Sequence, residues 1–248
     1  MRPYSKAIRN RFWSFTVFPF LVLSFFLIQE GVALAQKAAT LSKVQGNVRV
    51  FEAGSNRGKK GRDGMALFVN STIKTLGANS RADIIYIRGD VVRVMPNTDV
   101  TLGDTRLEED KSTTKLKLAA GKIFNVVNKL TEGSTYEVQT RTATAGVKGT
   151  VWSAETASQD TFMVKEGKVE VDAAQQKVLV ADLKKSTVQG GQPPGDPQDL
   201  SPEEIAMFDI LDDLLESIKT DIKEEIQESI KEDIIQNAIE NEMDMDMH

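Results

Sequence analysis

Two stretches decide the fold: Ala143-Thr144-Ala145-Gly146-Val147-Lys148-Gly149-Thr150-Val151-Trp152 and, a dozen residues later, Val164-Lys165-Glu166-Gly167-Lys168-Val169-Glu170-Val171. Each alternates like a half-buried strand and is broken by a glycine where the backbone must turn tightly. The same alternation continues outward, at Val44, Val48 and Val50, at Leu116 and Leu118, and at Tyr136 and Val138. Ile84-Ile85-Tyr86-Ile87 and Ile123-Phe124 are apolar at consecutive positions, which predicts strands covered on both faces. Gly46, Gly89, Gly121 and Gly167 each stand just before a β-branched strand start, at separations of 43, 32 and 46 residues. That spacing is too uneven for a solenoid and reads instead as tight hairpins. The expected class is mainly β, a jelly-roll-like or rolled β-sandwich over residues 36–189, followed by a long C-terminal acidic amphipathic α-helix.

Gly190, Gly191, Pro193, Pro194, Gly195 and Pro197 crowd residues 190–200, a linker expected to make neither helix nor ladder. A helix is then predicted over 201–240. Ser201 is a natural N-cap, Pro202 suits the first helical position, and Glu204 completes a capping box. Leu211, Leu215, Ile218, Ile222, Ile226, Ile230 and Ile234 follow at gaps of 4, 3, 4, 4, 4 and 4, giving an apolar stripe that winds around the axis. An average period above 3.6 favours a right-handed crossing, and the stripe is expected to serve self-association or docking as a coiled coil. Residues 241–248 read as a disordered tail.

Arg2, Lys6, Arg9 and Arg11 precede an apolar run from Phe12 to Ile28, and Ala33-Leu34-Ala35 supplies a small-x-small site. Residues 1–35 are therefore expected to be a signal peptide cleaved before Gln36, with the product exported to the periplasm or secreted. Membrane association is expected only if that segment stays uncleaved. Charge divides the remainder: residues 36–202 hold 24 Lys/Arg against 19 Asp/Glu, whereas residues 203–248 hold 3 Lys against 16 Asp/Glu. A mildly basic body with an acidic tail is not a nucleic-acid footprint.

Chemistry has few carriers. Cysteine is absent and the single histidine is His248, so thiolate sites, histidine metal clusters and a Ser-His-Asp triad cannot be assembled. No catalytic residue, metal or cofactor is expected. Asp104, Glu108, Glu109 and Asp110 form an acidic run without an EF-hand pattern, read first as a solvated loop and otherwise as a hydrolase carboxylate set. Arg57, Lys59, Lys60 and Arg62 occupy a glycine-spaced loop lacking the phosphate-loop spacing. That loop is either a soluble hairpin, a basic lip for an acidic partner or envelope polymer, or a docking place for the acidic tail. In Lys148-Gly149-Thr150, Gly149 is expected to supply a conformation or close approach that a Cβ forbids, with Thr150 capping the turn and Trp152 filling the core.

This order of segments resembles the FecR domain. The resemblance covers about residues 40–190. It rests on Ile73-Lys74-Thr75 before Ala82-Asp83-Ile84-Ile85, on Val92-Arg93-Val94-Met95-Pro96 with Val100 and Leu102, and on Leu116-Leu118-Gly121-Lys122-Ile123. It ends in Lys148-Gly149-Thr150 and Val164-Lys165-Glu166-Gly167-Lys168-Val169. Lys148 stands where the family usually has arginine, and Asn70-Ser71 replaces its usual aspartate. The resemblance implies a stand-alone, exported, non-enzymatic binding or signalling module that works through a protein partner. In well-known members this domain receives a signal from an outer-membrane TonB-dependent receptor and controls a sigma factor through a cytoplasmic segment. Here only about eleven residues precede the apolar run, so anti-sigma control is not expected. The implied contact residues are Lys148, Gly149, Thr150, Trp152, Glu166 and Gly167. The alternative is a glycan- or peptidoglycan-binding envelope protein, disfavoured by an aromatic content of 6%.

Overall fold

The structure is a computed structural model that describes residues 37–108, 111–213 and 216. The expected signal segment, most of the 201–240 helix and the 241–248 tail lie outside the described residues. Within them the chain forms fifteen strands joined in one hydrogen-bonded network, then a short helical segment. The mainly β expectation holds, in the form of a small barrel with extra strands.

Three long strands organise it: β1 (Lys37–Phe51), β4 (Thr72–Tyr86) and β7 (Lys111–Val127). Each bends partway and changes neighbours. The first half of β7 pairs with β6 (Asp99–Glu108) and, in parallel, with β8 (Thr135–Gln139). Its second half pairs with β5 (Val91–Val94) and β10 (Thr150–Thr156). The first half of β4 pairs with β6 and its second half with β5, and β1 follows β4 along both halves. Two layers therefore share three strands. One layer continues through β8 to β9 (Thr144–Val147), β12 (Val169–Ala173) and β13 (Gln176–Val180). The other continues through β10 to β11 (Asp160–Glu166), β14 (Lys184–Val188) and β15 (Gln198–Asp199). Short strands β2 (Lys59–Lys60) and β3 (Ala66–Phe68) flank β1.

The glycines explain the bending. The sequence predicts hairpin turns at Gly46 and Gly121, but they lie inside β1 and β7 with φ of 72° and 87°, where the strand turns from one layer to the other. A Cβ on Gly46 would stand 2.6 Å from Ser80 Oγ, so only glycine lets the backbones approach there.

Between the layers lies the main core, which includes Leu41, Val50, Ile73, Ile84, Val94, Leu102, Leu118, Val138, Trp152, Phe162 and Val171. A second apolar cluster sits on the outer face of β5, β7, β10 and β11, where Val91, Phe124, Val126 and Met163 meet Leu200, Phe208 and Leu211. Coverage on both faces, expected for Ile123-Phe124, is found there. It is not found at Ile85 and Ile87, which are 37% and 64% exposed because β4 buries only the alternate residues Ile84 and Tyr86 at that point.

The linker also departs from expectation. Gln198 and Asp199 do form a ladder with β14, Gly195 N–H donates to Thr187 O at 2.9 Å, and Pro194 is buried. Fixed in this way, the linker delivers the helical segment onto the sheet. Helix α1 (Pro202–Ala206) starts with the expected capping box, since Ser201 Oγ accepts from Glu204 N–H and the Glu204 carboxylate accepts from Ser201 N–H. It tightens at once into a 3₁₀ turn, Met207–Leu211, that lays Phe208 and Leu211 on the sheet. The Phe208 ring meets Phe124 edge-on, with centroids 5.3 Å apart at 81°.

Candidate functional site

Lys148 and Gly149 form the turn from β9 to β10, and Gly167 and Lys168 form the turn from β11 to β12. The two turns pack against each other. Gly149 has φ +75°, and a Cβ there would stand 3.0 Å from Lys129 Cα. Gly167 has φ +95°, and a Cβ there would fall 2.6 Å from Gly149 O and on the Thr150 methyl. Its N–H donates to Asp182 at 2.5 Å, which ties the turn to the loop before β14. Thr150 and Trp152 are buried; Glu166 is exposed.

Because Val147 pairs with Val169, the next residues out, Lys148 and Lys168, come to opposed positions. Both are exposed and neither has an ion-pair partner among the described residues. Below them the outer face of the layer carries a row running Glu137, Gly146, Glu170 and Leu179 across β8, β9, β12 and β13. Gly146 has open space where a Cβ would project, so the row sinks in the middle. The resulting groove has a volume of about 590 Å³ and is bounded by Lys148, Lys168, Glu137, Glu170 and Leu179. Leu179 is 55% exposed. Both carboxylates are neutralised from outside, Glu137 by Lys115 at 3.3 Å and Glu170 by Lys177 at 2.7 Å. The floor is thus electrically quiet and the turn end is positive.

The basic loop lies elsewhere on the same layer, and its four residues Arg57, Lys59, Lys60 and Arg62 are all exposed. Lys59 and Lys60 form β2 on the edge of β1, and Lys59 pairs with Glu52 at 2.5 Å. Of the acidic run, Asp104 is held by Arg106, whose hydrogen bonds pull its carboxyl below the usual range, and the Glu108 side chain is not among the described ones. Glu109 and Asp110 lie outside the described residues. Among the described residues no group of three or more His, Asp or Glu could hold a metal ion.

Of the stripe expected on the C-terminal helix, Leu211 is fully buried against the chain's own sheet rather than offered outward. Leu215, Ile218, Ile222, Ile226, Ile230 and Ile234 lie outside the described residues.

A charge cluster that sequence reading missed holds the helical segment. Arg93 is fully buried and opposes Asp83 across β4 and β5. Its Nε and Nη2 donate to the two Asp83 oxygens at 2.9 and 2.8 Å. The remaining side of the guanidinium faces the tail. Nη1 donates to Ile210 O and, at 2.7 Å, to Asp213 Oδ1, while Lys43 Nζ reaches Asp213 Oδ2 at 3.2 Å. Two cations and two carboxylates thus close at zero net charge. Hydrogen bonds from Arg93 hold the Asp213 carboxyl well below the usual carboxylate range, against an opposing effect of burial. Asp83 and Arg93 were both visible in family-like segments, but only the register shows that they face each other.

Residues 71–170 match the family model described as FecR protein, so the chain carries a FecR domain over that range. Two crystal structures of a candidate anti-sigma factor from Parabacteroides distasonis, at 1.65 and 2.50 Å resolution, are similar. Both give a TM-score of 0.46, with identities of 19% and 18% over 54% and 55% of this chain. The chain spans 62% and 63% of those two chains. No curated protein matches it.

Proposed function

We propose that this protein is an exported, non-enzymatic signalling module that acts by holding a protein partner in the groove over β8, β9, β12 and β13. The observation that carries this reading is convergence: the family's basic-Gly-Thr step and its Glu-Gly turn bring two lysines, without ion-pair partners among the described residues, to the mouth of a groove of about 590 Å³. A groove with a glycine floor, one exposed leucine and a positive end fits an extended polypeptide that offers a small apolar residue and a carboxylate. Glycan binding is less well supported, because the aromatic residue lining the groove, Tyr136, is buried and offers no stacking face. Export rests on the basic amino terminus, the apolar run and the Ala33-Leu34-Ala35 site.

A photo-crosslinker placed at Leu179 in cells tests the contact, with one at Asn56 on the basic loop as control. We expect a discrete protein adduct from Leu179 alone, lost on Lys148→Glu with Lys168→Glu. Equal adducts from both positions, or an adduct indifferent to the charge reversal, refute the groove. The amino terminus of the protein from the same cells checks export: Gln36 is expected as the first residue.

A further inference from the structure

On the outer face of the layer that carries the groove, but away from it, cations face one another across three strands. Register places Lys60 of β2 opposite Arg49 of β1, and Arg49 opposite Lys74 of β4. Like charges set directly opposite destabilise a sheet, so three in one row are an unfavourable arrangement unless something negative lies over them. One carboxylate belongs to the row: Asp99, opposite Lys74 and 2.6 Å from its ammonium. Arg49 and Lys60 are exposed and have no ion-pair partner among the described residues. Beside them Lys59, Lys60 and Arg62 line a hollow of about 380 Å³.

We propose that the acidic segment of this same chain that follows the described helical turn docks across the Lys60–Arg49–Lys74 row. Three observations point to that occupant. Residues 217–248 hold ten Asp/Glu against three Lys, so the segment is strongly anionic where the row is cationic. The tail already commits its first carboxylates to the body, Glu204 to Lys185 at 2.6 Å and Asp213 to Arg93 and Lys43. Lys43 then sets the reach, because it belongs to β1, the strand that carries Arg49. Six residues of strand, bent at Gly46, keep the two at most about 20 Å apart, and 8 to 15 helical residues from Asp213 to Asp221–Glu228 would span about 12–22 Å. Spacing agrees as well. Asp221, Glu225, Glu228 and Glu232 follow at helical steps of 4, 3 and 4, which sets neighbouring carboxylates about 5–6 Å apart. The cations across the strands repeat at about 4.8 Å. A helix laid across β2, β1 and β4 therefore meets the row one carboxylate per strand.

Zero-length carbodiimide crosslinking of the full mature chain, read by mass spectrometry of the linked peptides, tests this. Links between Lys74 and Asp99, Lys59 and Glu52, and Lys177 and Glu170 are internal controls that must form. The expected result is amide links from Lys60 or Lys74 to carboxylates within residues 221–232. They should be lost at high salt and lost in Arg49→Glu, which leaves both lysines in place. Unchanged Trp152 emission in that variant shows that the body is intact. The proposal is overturned if the controls form and those links do not, or if the segment links to Lys148 and Lys168 instead. Mixing isotopically heavy and light protein adds a further test: hybrid heavy–light links in place of homogeneous ones place the segment on a second copy and refute docking within one molecule.

Discussion

Replacing Arg93 by methionine should destabilise the protein severely, whereas replacing Asp213 by asparagine should hardly be felt, although both side chains join the same cluster. The asymmetry follows from exposure. Arg93 and Asp83 are each 1% exposed, so removing the guanidinium strands a carboxylate away from water. Breaking a buried pair in this way costs about 3–5 kcal/mol. Asp213 is 51% exposed, water can replace its partners, and a half-exposed ion pair contributes about 0.2–1 kcal/mol. Replacing both Arg93 and Asp83 by apolar residues of similar volume should recover most of the loss, since nothing charged then remains buried. Urea unfolding followed by Trp152 emission measures all four proteins, because Trp152 is the only tryptophan beyond the predicted signal segment and is fully buried. An Asp213→Asn cost equal to that of Arg93→Met would refute the reasoning, as would an Arg93→Met cost below about 1 kcal/mol. So would a double variant no better than the single one.

Other outcomes follow from the same geometry. Gly167→Ala should cost roughly 1–3 kcal/mol, from its φ of +95° and the clash with Gly149 O, while Gly146→Ala should stabilise by roughly 0.5–1 kcal/mol; unfolding midpoints compare the two. Burial pushes the Asp90 carboxyl up to about 6, against hydrogen bonding from Asn128 N–H. The native state then holds that proton more tightly than the unfolded chain, so stability should fall as pH rises from about 4 to about 6, by on the order of 3 kcal/mol. Asp90→Asn should remove that slope and stabilise at neutral pH, since its amide oxygen can still accept from Asn128 N–H; a slope that survives the substitution refutes the assignment. Asp213 has the opposite sign: its depressed carboxyl supports docking above the ordinary carboxylate range, and the support is lost as pH falls through its folded value. Phe208→Ala should release the amides of residues 205–211 to rapid hydrogen exchange while β7 and β10 stay protected; equal loss in the strands would mean that the segment belongs to the main core.

The β class was legible because alternation reports one buried face, and in Tyr136–Val138 and Val169–Val171 the structure buries the expected residues. The capping box at Ser201 and Glu204 was legible because it is local. What failed was non-local. Gly46 and Gly121 look like turn glycines in sequence, since a positive φ is needed equally at a hairpin and at a corner inside a long strand; only pairing with two sets of partners separates them. Ile84–Ile87 and Ile123-Phe124 are both apolar at consecutive positions, yet one loses its outer cover and the other keeps it. The difference is Phe208, more than eighty residues further on, which happens to land on Phe124. The Arg93 cluster was hidden for the same reason. An arginine between valines in a strand reads as a surface residue unless the register sets Asp83 opposite and the tail brings Ile210 and Asp213 over it.

The motif at Lys148–Thr150 shows how architecture and recognition become entangled in one signature. Gly149 and Gly167 must be glycines for the two turns to touch, and Thr150 is buried where they meet. Those residues answer to packing, and their substitution reads out in stability. Once the turns touch, however, the residues flanking the glycines are forced into opposition, so any basic side chain at 148 and 168 is delivered to the groove mouth. The side chains of the two lysines make no hydrogen bond or ion pair among the described residues. Packing thus fixes where the charges stand without fixing that they be charges. Of the six residues the family resemblance singles out, Lys148 and Glu166 are exposed with no ion-pair partner among the described residues, but of those two only Lys148 lines the groove, and Lys168, outside those six, is its counterpart across the register.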